Sequence, residues 1–216
     1  MTMRYFNLHR HSPAKDLEET AIVNIFPEQE VPGKYLYSVG LHPWHVSENA
    51  LERDLDLVEE KGGNAVAIGE CGLDRACAVP FELQLKAFRA QAGIAVTLEK
   101  PLIIHCVRAY PELVSERKAC RDGLPWIVHG FRGNPETASH LIKHGLYLSF
   151  GEALLKDRRL GKILASVPED RYFLETDESS MSIREIYGRA AAIRNIDVGT
   201  LVLQQRKNAS SVLCLK

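Results

Sequence analysis

The sequence predicts an α/β fold, a single (β/α)8 TIM-type barrel that is small and distorted. Three observations lead to this prediction. Short apolar runs typical of strands alternate along the chain with stretches of helical periodicity, which indicates a parallel sheet. Eight such runs occur, the number that closes a barrel. Side chains that bind metals follow several of the runs, and loops after parallel strands converge on one face of a barrel.

The eight predicted strands are recognised by β-branched and aromatic residues with glycine or proline at their borders. In chain order they cover residues 4–8, 21–26, 35–41, 65–69, 101–104, 126–128, 146–150 and 171–176. Most of them are only four to six residues long, which is typical of strands and too short for helices.

Helices are predicted between most of these strands. Apolar residues recur at helical spacing over residues 81–92, after Pro80. Asn134 and Pro135 mark another helix start, with an N-cap followed by proline at the first helical position. Further helices are expected near residues 47–61, 109–121, 152–166, 182–195 and 197–207.

The region of residues 12–38 is too short for a regular barrel wall. Only residues 27–34 separate the second and third strands, whereas a parallel crossover usually takes about a dozen residues. Residues 12–20 leave room for at most one or two helical turns. We therefore expect reduced or missing helices after strands 1 and 2, and a thin wall on that side.

Composition is that of an ordinary enzyme-sized chain, and residues 1–216 are expected to form one domain. The 27 lysine and arginine residues against 28 acidic ones give a net charge of -1, which excludes a whole-molecule basic field for long nucleic acid. No apolar run approaches the roughly 18 residues of a membrane span. The five cysteines form no CxxC pair. We expect a cytoplasmic protein without a membrane or obligate protein partner.

Six residues of metal-binding type stand at or just past the ends of predicted strands: His9, His11, Glu70, His105, His129 and Asp177. His9 and His11 are two positions apart, so in a strand they point the same way and can grip one ion. A single carboxylate such as Glu70 can bridge two ions. Six ligands are too many for one tetrahedral ion and suit a pair of ions about 3.5–4 Å apart.

Each of these residues also has an ordinary structural interpretation. A histidine in the core is often a satisfied buried group, Asp177 is a possible helix N-cap, and Glu70 is a possible partner of an arginine. It is less favoured that all six residues have only these structural roles, because each of them stands at a strand end. The sequence therefore predicts two divalent metal ions, with zinc, manganese, nickel, iron or magnesium as candidates.

Six short motifs surround these residues in a characteristic order. They are HRH at 9–11, GLHP at 40–43, GECGLD at 69–74, PLIIH at 101–105, HGFRG at 129–133 and ETD at 175–177. In order and context they resemble the motifs of the TatD-like metal-dependent hydrolases. That family is known for deoxyribonuclease activity and belongs to the amidohydrolase-like TIM barrels.

The resemblance implies roles for the six candidate ligands. One ion would be held by His9, His11 and Asp177, and the other by His105 and His129. Glu70 would be shared between the two ions. The resemblance also implies that Asp177 handles the proton of the attacking water, so that Asp177 and Glu70 are the expected catalytic residues.

The chain departs from the family pattern at three positions. Asn7 stands where the family usually has aspartate, two residues before the first histidine. Arg108 lies one position beyond the place where an arginine is common after His105, and Arg75 occupies a place where an aromatic residue is common. The contacts that orient the ligands of the first ion, and the position of the arginines that bind phosphate, are therefore expected to differ from those of other members.

Four side chains beside the candidate ligands are expected to contact the substrate: His42, Arg75, Arg108 and Arg132. Guanidinium groups bind phosphate through paired donors, and an ordinary salt bridge is the alternative for each arginine. Trp44, which also follows the third strand, is available to stack on a base. Packing under a loop is the alternative for Trp44.

The expected function is a two-metal hydrolase that cleaves phosphodiester bonds with a metal-activated water. DNA or oligonucleotide ends, or a small phosphodiester, are the expected substrates. One alternative is a hydrolase of a small amide, lactone or ester on the same barrel, although Glu70 at the bridging position argues against the barrels that use a modified lysine there. A non-catalytic binding protein is the other, and the complete ligand set argues against it.

Overall fold

The structure is a computed structural model that describes residues 4–14, 16–120 and 123–215. In this part of the chain, eight parallel strands form one sheet in which each strand pairs with its neighbours in sequence. The strands are β1 (Tyr5–Arg10), β2 (Glu19–Ile25), β3 (Leu36–Val39), β4 (Ala67–Asp74), β5 (Leu102–Val107), β6 (Trp126–Val128), β7 (Tyr147–Phe150) and β8 (Tyr172–Leu174). This consecutive parallel order is that of a (β/α)8 barrel, so the predicted fold is confirmed.

The sheet closes on itself between β8 and β1. The backbone N–H of Asp177 donates to the carbonyl oxygen of His9 at 2.9 Å. Arg10 and Asp177 form a parallel bridge at the same place. Since Asp177 lies just past β8, the closure falls at the carboxyl ends of both strands, where a barrel carries its site.

Helices cover most of the outer face of the sheet. Their bounds are α1 (Leu51–Gly62), α2 (Phe81–Thr97), α3 (Tyr110–Ala119), α4 (Pro135–Lys143), α5 (Ala153–Lys156), α6 (Arg158–Ser166), α7 (Ile183–Arg194) and α8 (Val198–Leu213), and a 3₁₀ turn forms at Pro43–His45. The predicted start of α4 is confirmed, because Oδ1 of Asn134 accepts a hydrogen bond from the N–H of Thr137 at 2.7 Å.

Three of the predicted helices differ from the structure, and one of them is α1, which begins at Leu51 rather than near residue 47. Residues 152–166 form α5 and α6 rather than one helix, because the side chain of Asp157 accepts a hydrogen bond from the N–H of Arg159 at 2.8 Å and starts a new helix. The last helix continues to Leu213, six residues past its predicted end. The predicted end of α3 at residue 121 lies outside the described residues.

The thin side of the barrel is present where the sequence predicted it. Among the described residues between β1 and β2, and throughout residues 26–35 between β2 and β3, no helix forms. The connection from β2 to β3 is only ten residues long, which leaves no room for a helix and the two turns it needs. The two connections that link β1 to β2 and β2 to β3 are therefore loops, and neither adds a helix to the outer wall of the barrel.

Two apolar layers hold the barrel. The larger cluster lies between the strands and the surrounding helices. The smaller one fills the barrel interior with apolar side chains from every strand, namely Phe6, Leu8, Ile22, Leu36, Ala67, Ile103, Ile127, Tyr147 and Phe173, together with Ala209, Val212 and Leu213 of α8. The interior is thus a packed core, which leaves the rim as the place for chemistry.

None of the helices in the described ranges is both apolar enough and long enough to cross a bilayer. The cytoplasmic location stays a prediction. So does the extent of the domain over residues 1–216, since residues 1–3 and 216 lie outside the described part.

Candidate metal centre

The carboxylate of Glu70 lies among histidines at the rim of the barrel. Its Oε1 atom is 2.7 Å from Nε2 of His129, 3.0 Å from Nδ1 of His105 and 3.1 Å from Nε2 of His42. Glu70 is 3% exposed, so water screens these contacts little. One oxygen of this carboxylate therefore faces three imidazole nitrogens.

The other oxygen of Glu70 faces a different group of donors. Its Oε2 atom is 3.3 Å from Nε2 of His9 and 3.5 Å from Nε2 of His11. Oδ1 of Asp177 lies 3.6 Å and 3.4 Å from the same two nitrogens. The two oxygens of Glu70 thus point into two separate donor groups, which is the geometry of a carboxylate that can serve two ions.

The ligand atoms converge in three overlapping groups, and within each group all atoms lie within 4.8 Å of one another. The groups are His9, His11 and Asp177; His9, Glu70 and His129; and His42, Glu70 and His105. All six residues predicted as ligands are brought together here. The structure adds His42, which the sequence analysis expected to contact substrate, and it sets His129 beside His9.

The donor set fits divalent transition metals. Both ring nitrogens of His9 are buried, and neither makes a hydrogen bond within the described ranges. Buried polar atoms are normally partnered, so these nitrogens need an explanation. Imidazole nitrogens that face carboxylate oxygens at 3.3–3.6 Å leave the space that a metal ion between them would occupy. Mixed nitrogen and oxygen donors accommodate zinc, manganese, iron or nickel.

Irregularities in the backbone of β1, of β4 and at Asp177 orient these donor side chains toward one another. The strand register shifts in β1 around His9 and in β4 around Glu70. Such bulges redirect side chains and are frequent beside active sites. The N–H of Glu70 donates to Oδ1 of Asn24 at 2.6 Å, which fixes the bulge in β4. Asp177 has a positive φ of 54°, a conformation that is uncommon outside glycine and recurs at functional sites.

Two buried carboxylates stand behind the histidines. Oδ2 of Asp74 is 3.1 Å from Nε2 of His105, and Oε1 of Glu175 is 3.4 Å from Nδ1 of His129. A carboxylate in this position fixes the tautomer and the orientation of a metal-binding imidazole. The sequence analysis gave neither acid a role. Both lie in its motifs, but only the folded chain shows which histidine each of them contacts.

The charges of the cluster depend on one another when no metal is bound. Burial opposes the charged form of Glu70, but the charge on His129 and hydrogen bonds from neighbouring histidines hold the pKa of Glu70 well below its usual range. Burial also opposes the charge on His11, whereas hydrogen bonds to Asp177 and Glu70 raise the pKa of His11 to about 9. Imidazoles must lose their protons to bind a metal, so metal affinity should rise with pH.

His42 and Asp177 are in the protonation states that suit ligands. Burial lowers the pKa of His42, so its imidazole is neutral at pH 7, the form that binds metals. Burial alone would raise the pKa of Asp177, but the hydrogen bond from His11 and the charges of nearby histidines lower it. Asp177 is therefore a carboxylate at neutral pH.

A cavity of about 690 Å³ opens over the cluster, and Arg108 and Arg132 line it. Within the described ranges neither guanidinium makes a hydrogen bond or an ion pair, so both are available to a ligand. Arg75 is placed differently. Its guanidinium pairs with Glu112 at 2.5 Å and stacks 3.9 Å from the ring centre of Phe81, away from the cavity lining. The substrate contact of Arg75 stays a prediction, and in this structure Glu112 and Phe81 engage its guanidinium.

Asn7, at the position where the family usually has aspartate, is buried and bonded through both ends of its amide. Its Nδ2 donates to Oε1 of Glu19 and to Oγ1 of Thr176, both at 2.7 Å, and its Oδ1 accepts from the N–H of Thr176 at 3.1 Å. Arg10 also donates to Glu19, at 2.7 Å. A carboxylate at position 7 would face that of Glu19, so the amide and Glu19 are matched to each other.

A (β/α)8 barrel whose rim gathers histidines around a shared carboxylate has the architecture of the metal-dependent hydrolases with an amidohydrolase-like fold. A family model described as TatD related DNase matches residues 14–212. The chain therefore belongs to the TatD family, as its motifs predicted.

Curated relatives carry the name 3′-5′ ssDNA/RNA exonuclease TatD. The protein of that name from Citrobacter koseri is 32% identical over 165 residues, which cover 73% of this chain and 63% of the relative. The protein from Pectobacterium atrosepticum is 32% identical over 175 residues, which cover 77% and 66% respectively. The chain thus spans slightly less than two thirds of the length of these relatives.

Solved structures share the fold. YJJV, a TatD homologue from Escherichia coli K12, superposes with a TM-score of 0.82 over the whole of both chains, at 20% identity. A TatD family hydrolase from Entamoeba histolytica superposes with a TM-score of 0.80 over 98% of both chains, at 16% identity. At this level of identity the likeness supports the barrel and not a substrate.

Proposed function

We propose that this protein is a metal-dependent phosphodiesterase that acts on the ends of single-stranded DNA or RNA. The observation that carries the proposal is the position of Glu70, whose two oxygens face separate donor groups. Two ions bound there would stabilise both the attacking and the leaving oxygen of an in-line displacement. The names of the curated relatives support single-stranded nucleic acid as the substrate, with removal of nucleotides from the 3′ end.

In this proposal the ligands divide as the sequence suggested. One ion would be held by His9, His11 and Asp177, the other by His105 and His129, and Glu70 would be shared. His42 joins the second group, because its Nε2 is as close to Glu70 as Nδ1 of His105 is, within 0.1 Å. Zinc, manganese, iron and nickel suit this donor set better than magnesium.

Asp177 supplies the proton chemistry. Its side chain is 43% exposed and borders the cavity, so it can reach a water molecule beside the substrate. Its lowered pKa keeps it ionised at neutral pH, as a proton acceptor must be. Oδ1 lies 3.4 Å from Nε2 of His11, which orients the carboxylate toward the donor group.

Arg108 and Arg132 bind the phosphate. They follow β5 and β6, they line the cavity over the donor groups, and neither makes a hydrogen bond or an ion pair in the described ranges. Guanidinium forks match the oxygens of a phosphate and offset charge that develops during displacement. Since two arginines of the described ranges line the cavity and the net charge is -1, the protein should bind few phosphates.

The test is hydrolysis of end-labelled oligonucleotides by the metal-loaded protein. A 3′-labelled single strand should release labelled mononucleotide from the start, whereas a 5′ label should remain on shortening products. A chelator should abolish both the release of labelled mononucleotide and the shortening of the 5′-labelled strand. Amide, lactone and carboxylic ester substrates run in parallel, and hydrolysis of any of these with every phosphodiester intact would favour the alternative hydrolase.

His42→Ala is expected to weaken the binding of one ion by at least about tenfold, the loss that accompanies removal of a group at or next to a metal. Metal titration followed by calorimetry measures this directly. The matched control is His140→Ala, an exposed histidine of α4. If the titration is unchanged and only KM rises, then His42 contacts the substrate, as the sequence analysis expected.

The rate should depend on salt with a shallow slope, because few phosphates are contacted. The logarithm of kcat/KM should fall with log salt at a slope of about -1 to -3, roughly -0.7 for each phosphate contacted on a single strand. Arg108→Ala and Arg132→Ala should each make the slope shallower by about 0.7. Arg206→Ala, an exposed arginine of α8, should leave it unchanged. Identical slopes in all variants would remove both arginines from the phosphate site.

A further inference from the structure

One side of the cavity is aromatic. Phe26 follows β2, while Trp44 and His45 form the 3₁₀ turn after β3, and all three line the cavity. The ring centres of Phe26 and His45 are 5.1 Å apart at 82°, so these two rings support each other edge to face. Arg108 and Arg132 come from β5 and β6, further round the barrel. The cavity therefore offers an apolar ring surface on one flank and cationic groups on another.

Trp44 is the exposed member of this surface. It is 56% exposed, and among the exposed large apolar side chains of the described ranges it alone lines the cavity. Packing under a loop, the alternative that the sequence left open, would bury it. A half-exposed indole loses much of the stabilising free energy that burial would provide. Exposed aromatic side chains of this kind are typical of surfaces that bind a ligand or a partner.

The position of Trp44 is fixed despite its exposure. Its Nε1–H donates to Oδ2 of Asp74 at 2.6 Å, and Asp74 is only 2% exposed. The same oxygen lies 3.1 Å from Nε2 of His105, whose Nδ1 is 3.0 Å from Glu70. One buried carboxylate thus connects the indole to the donor groups. The ring centres of Trp44 and His105 are 5.8 Å apart, so a group that rests on the indole lies beside the metal centre.

We propose that Trp44 is the stacking surface for the nucleobase next to the scissile phosphate, so that the preferred substrate carries a base at that position. The inference rests on the proposed phosphodiesterase function and specifies its substrate further. An aromatic ring accepts every base, because each base has a π-face, and stacking of this kind is sequence-tolerant. Trp44 is thus a specificity residue that selects nucleotides over other phosphate esters without selecting a sequence.

The test compares two sets of oligonucleotides that differ only in one terminal nucleotide, which either carries its base or is an abasic analogue. The wild-type protein should cleave the base-bearing set with a kcat/KM about 5- to 100-fold higher, the range expected for one stacked base. Trp44→Ala should remove that preference. Trp44→Phe should keep most of the preference, because phenylalanine retains a ring on which a base can stack. This variant also lacks the N–H that donates to Asp74, so it separates stacking from that hydrogen bond. Leu203→Ala, at an exposed apolar residue of α8, is the matched control.

A binding experiment separates this inference from the proposed function. Calorimetry with the metal-loaded protein compares a nucleoside monophosphate with ribose 5-phosphate, and it needs no turnover. Trp44-dependent preference for the nucleotide supports the stacking surface even if no oligonucleotide is cleaved, in which case the phosphodiesterase proposal alone fails. Equal affinities in the wild type, or an equal loss for base-bearing and abasic ligands in Trp44→Ala, would overturn the inference. The second outcome would mean that Trp44 acts through Asp74 on the metal centre.

Discussion

Glu70→Gln is expected to lose both metal ions and to lower kcat/KM by at least about 10³-fold. The carboxylate oxygens of Glu70 face two separate donor groups, and an amide offers one weak oxygen donor and one nitrogen that cannot bind a metal. Charge stabilisation by the ions amounts to several kcal/mol, which corresponds to this loss in rate. Elemental analysis of the purified variant measures the metal content, and oligonucleotide hydrolysis measures the rate.

Two variants make the result specific. His105→Ala removes a donor from one group only, so it should lower the occupancy of one ion and leave the other. Glu59→Gln, at an exposed position on α1, makes the same chemical change far from the site and should alter neither quantity. Full occupancy by two metals in Glu70→Gln would contradict the shared-carboxylate model.

Asp177→Asn should lower kcat by about 10²–10⁴-fold, the contribution of a positioned acid or base. Asparagine keeps the shape of the side chain and an oxygen for a metal but accepts a proton poorly. The measurement is kcat and KM at saturating metal, because an interaction needed only in the transition state affects kcat more than substrate binding.

Asp56→Asn, an exposed acid of α1, is the control for this substitution. Metal analysis of Asp177→Asn tells whether lost rate follows lost metal. A variant that keeps both its metals and an activity within a few-fold of wild type would take Asp177 out of the mechanism.

Much of the barrel could be predicted because its strands are locally specified. Runs such as those leading to His105 and His129 are apolar and bounded by glycine or proline, so they are buried strands in any parallel sheet. Helix starts such as Asn134 follow from capping chemistry that acts over three residues. The six candidate ligands could be found because a barrel brings the ends of its strands to one rim.

The remainder depends on contacts between distant residues. β4 continues to Asp74, five residues beyond its predicted end, because it pairs with β5 along that length. The register shift around Glu70 belongs to the pairing of two strands and has no local signature. Arg75 and Arg108 look alike in sequence, yet Arg75 is held by Glu112 while Arg108 borders the cavity. His42 could be noticed from its place after the third strand, but not its 3.1 Å approach to Glu70.

The seam between β1 and β8 has a consequence for folding. It joins the first and the last strand of the barrel, and a hydrogen bond between Asn7 and Thr176 there connects residues 169 positions apart in sequence. His9 and Asp177 meet at this seam through their backbones and also present their side chains to the same donor group. An ion bound there would act as a cross-link that closes a very long loop, the kind of clip whose entropic benefit grows with loop length. Removal of the metal should then first increase the rate of amide hydrogen exchange in β1 and β8, while exchange in the other strands stays slow.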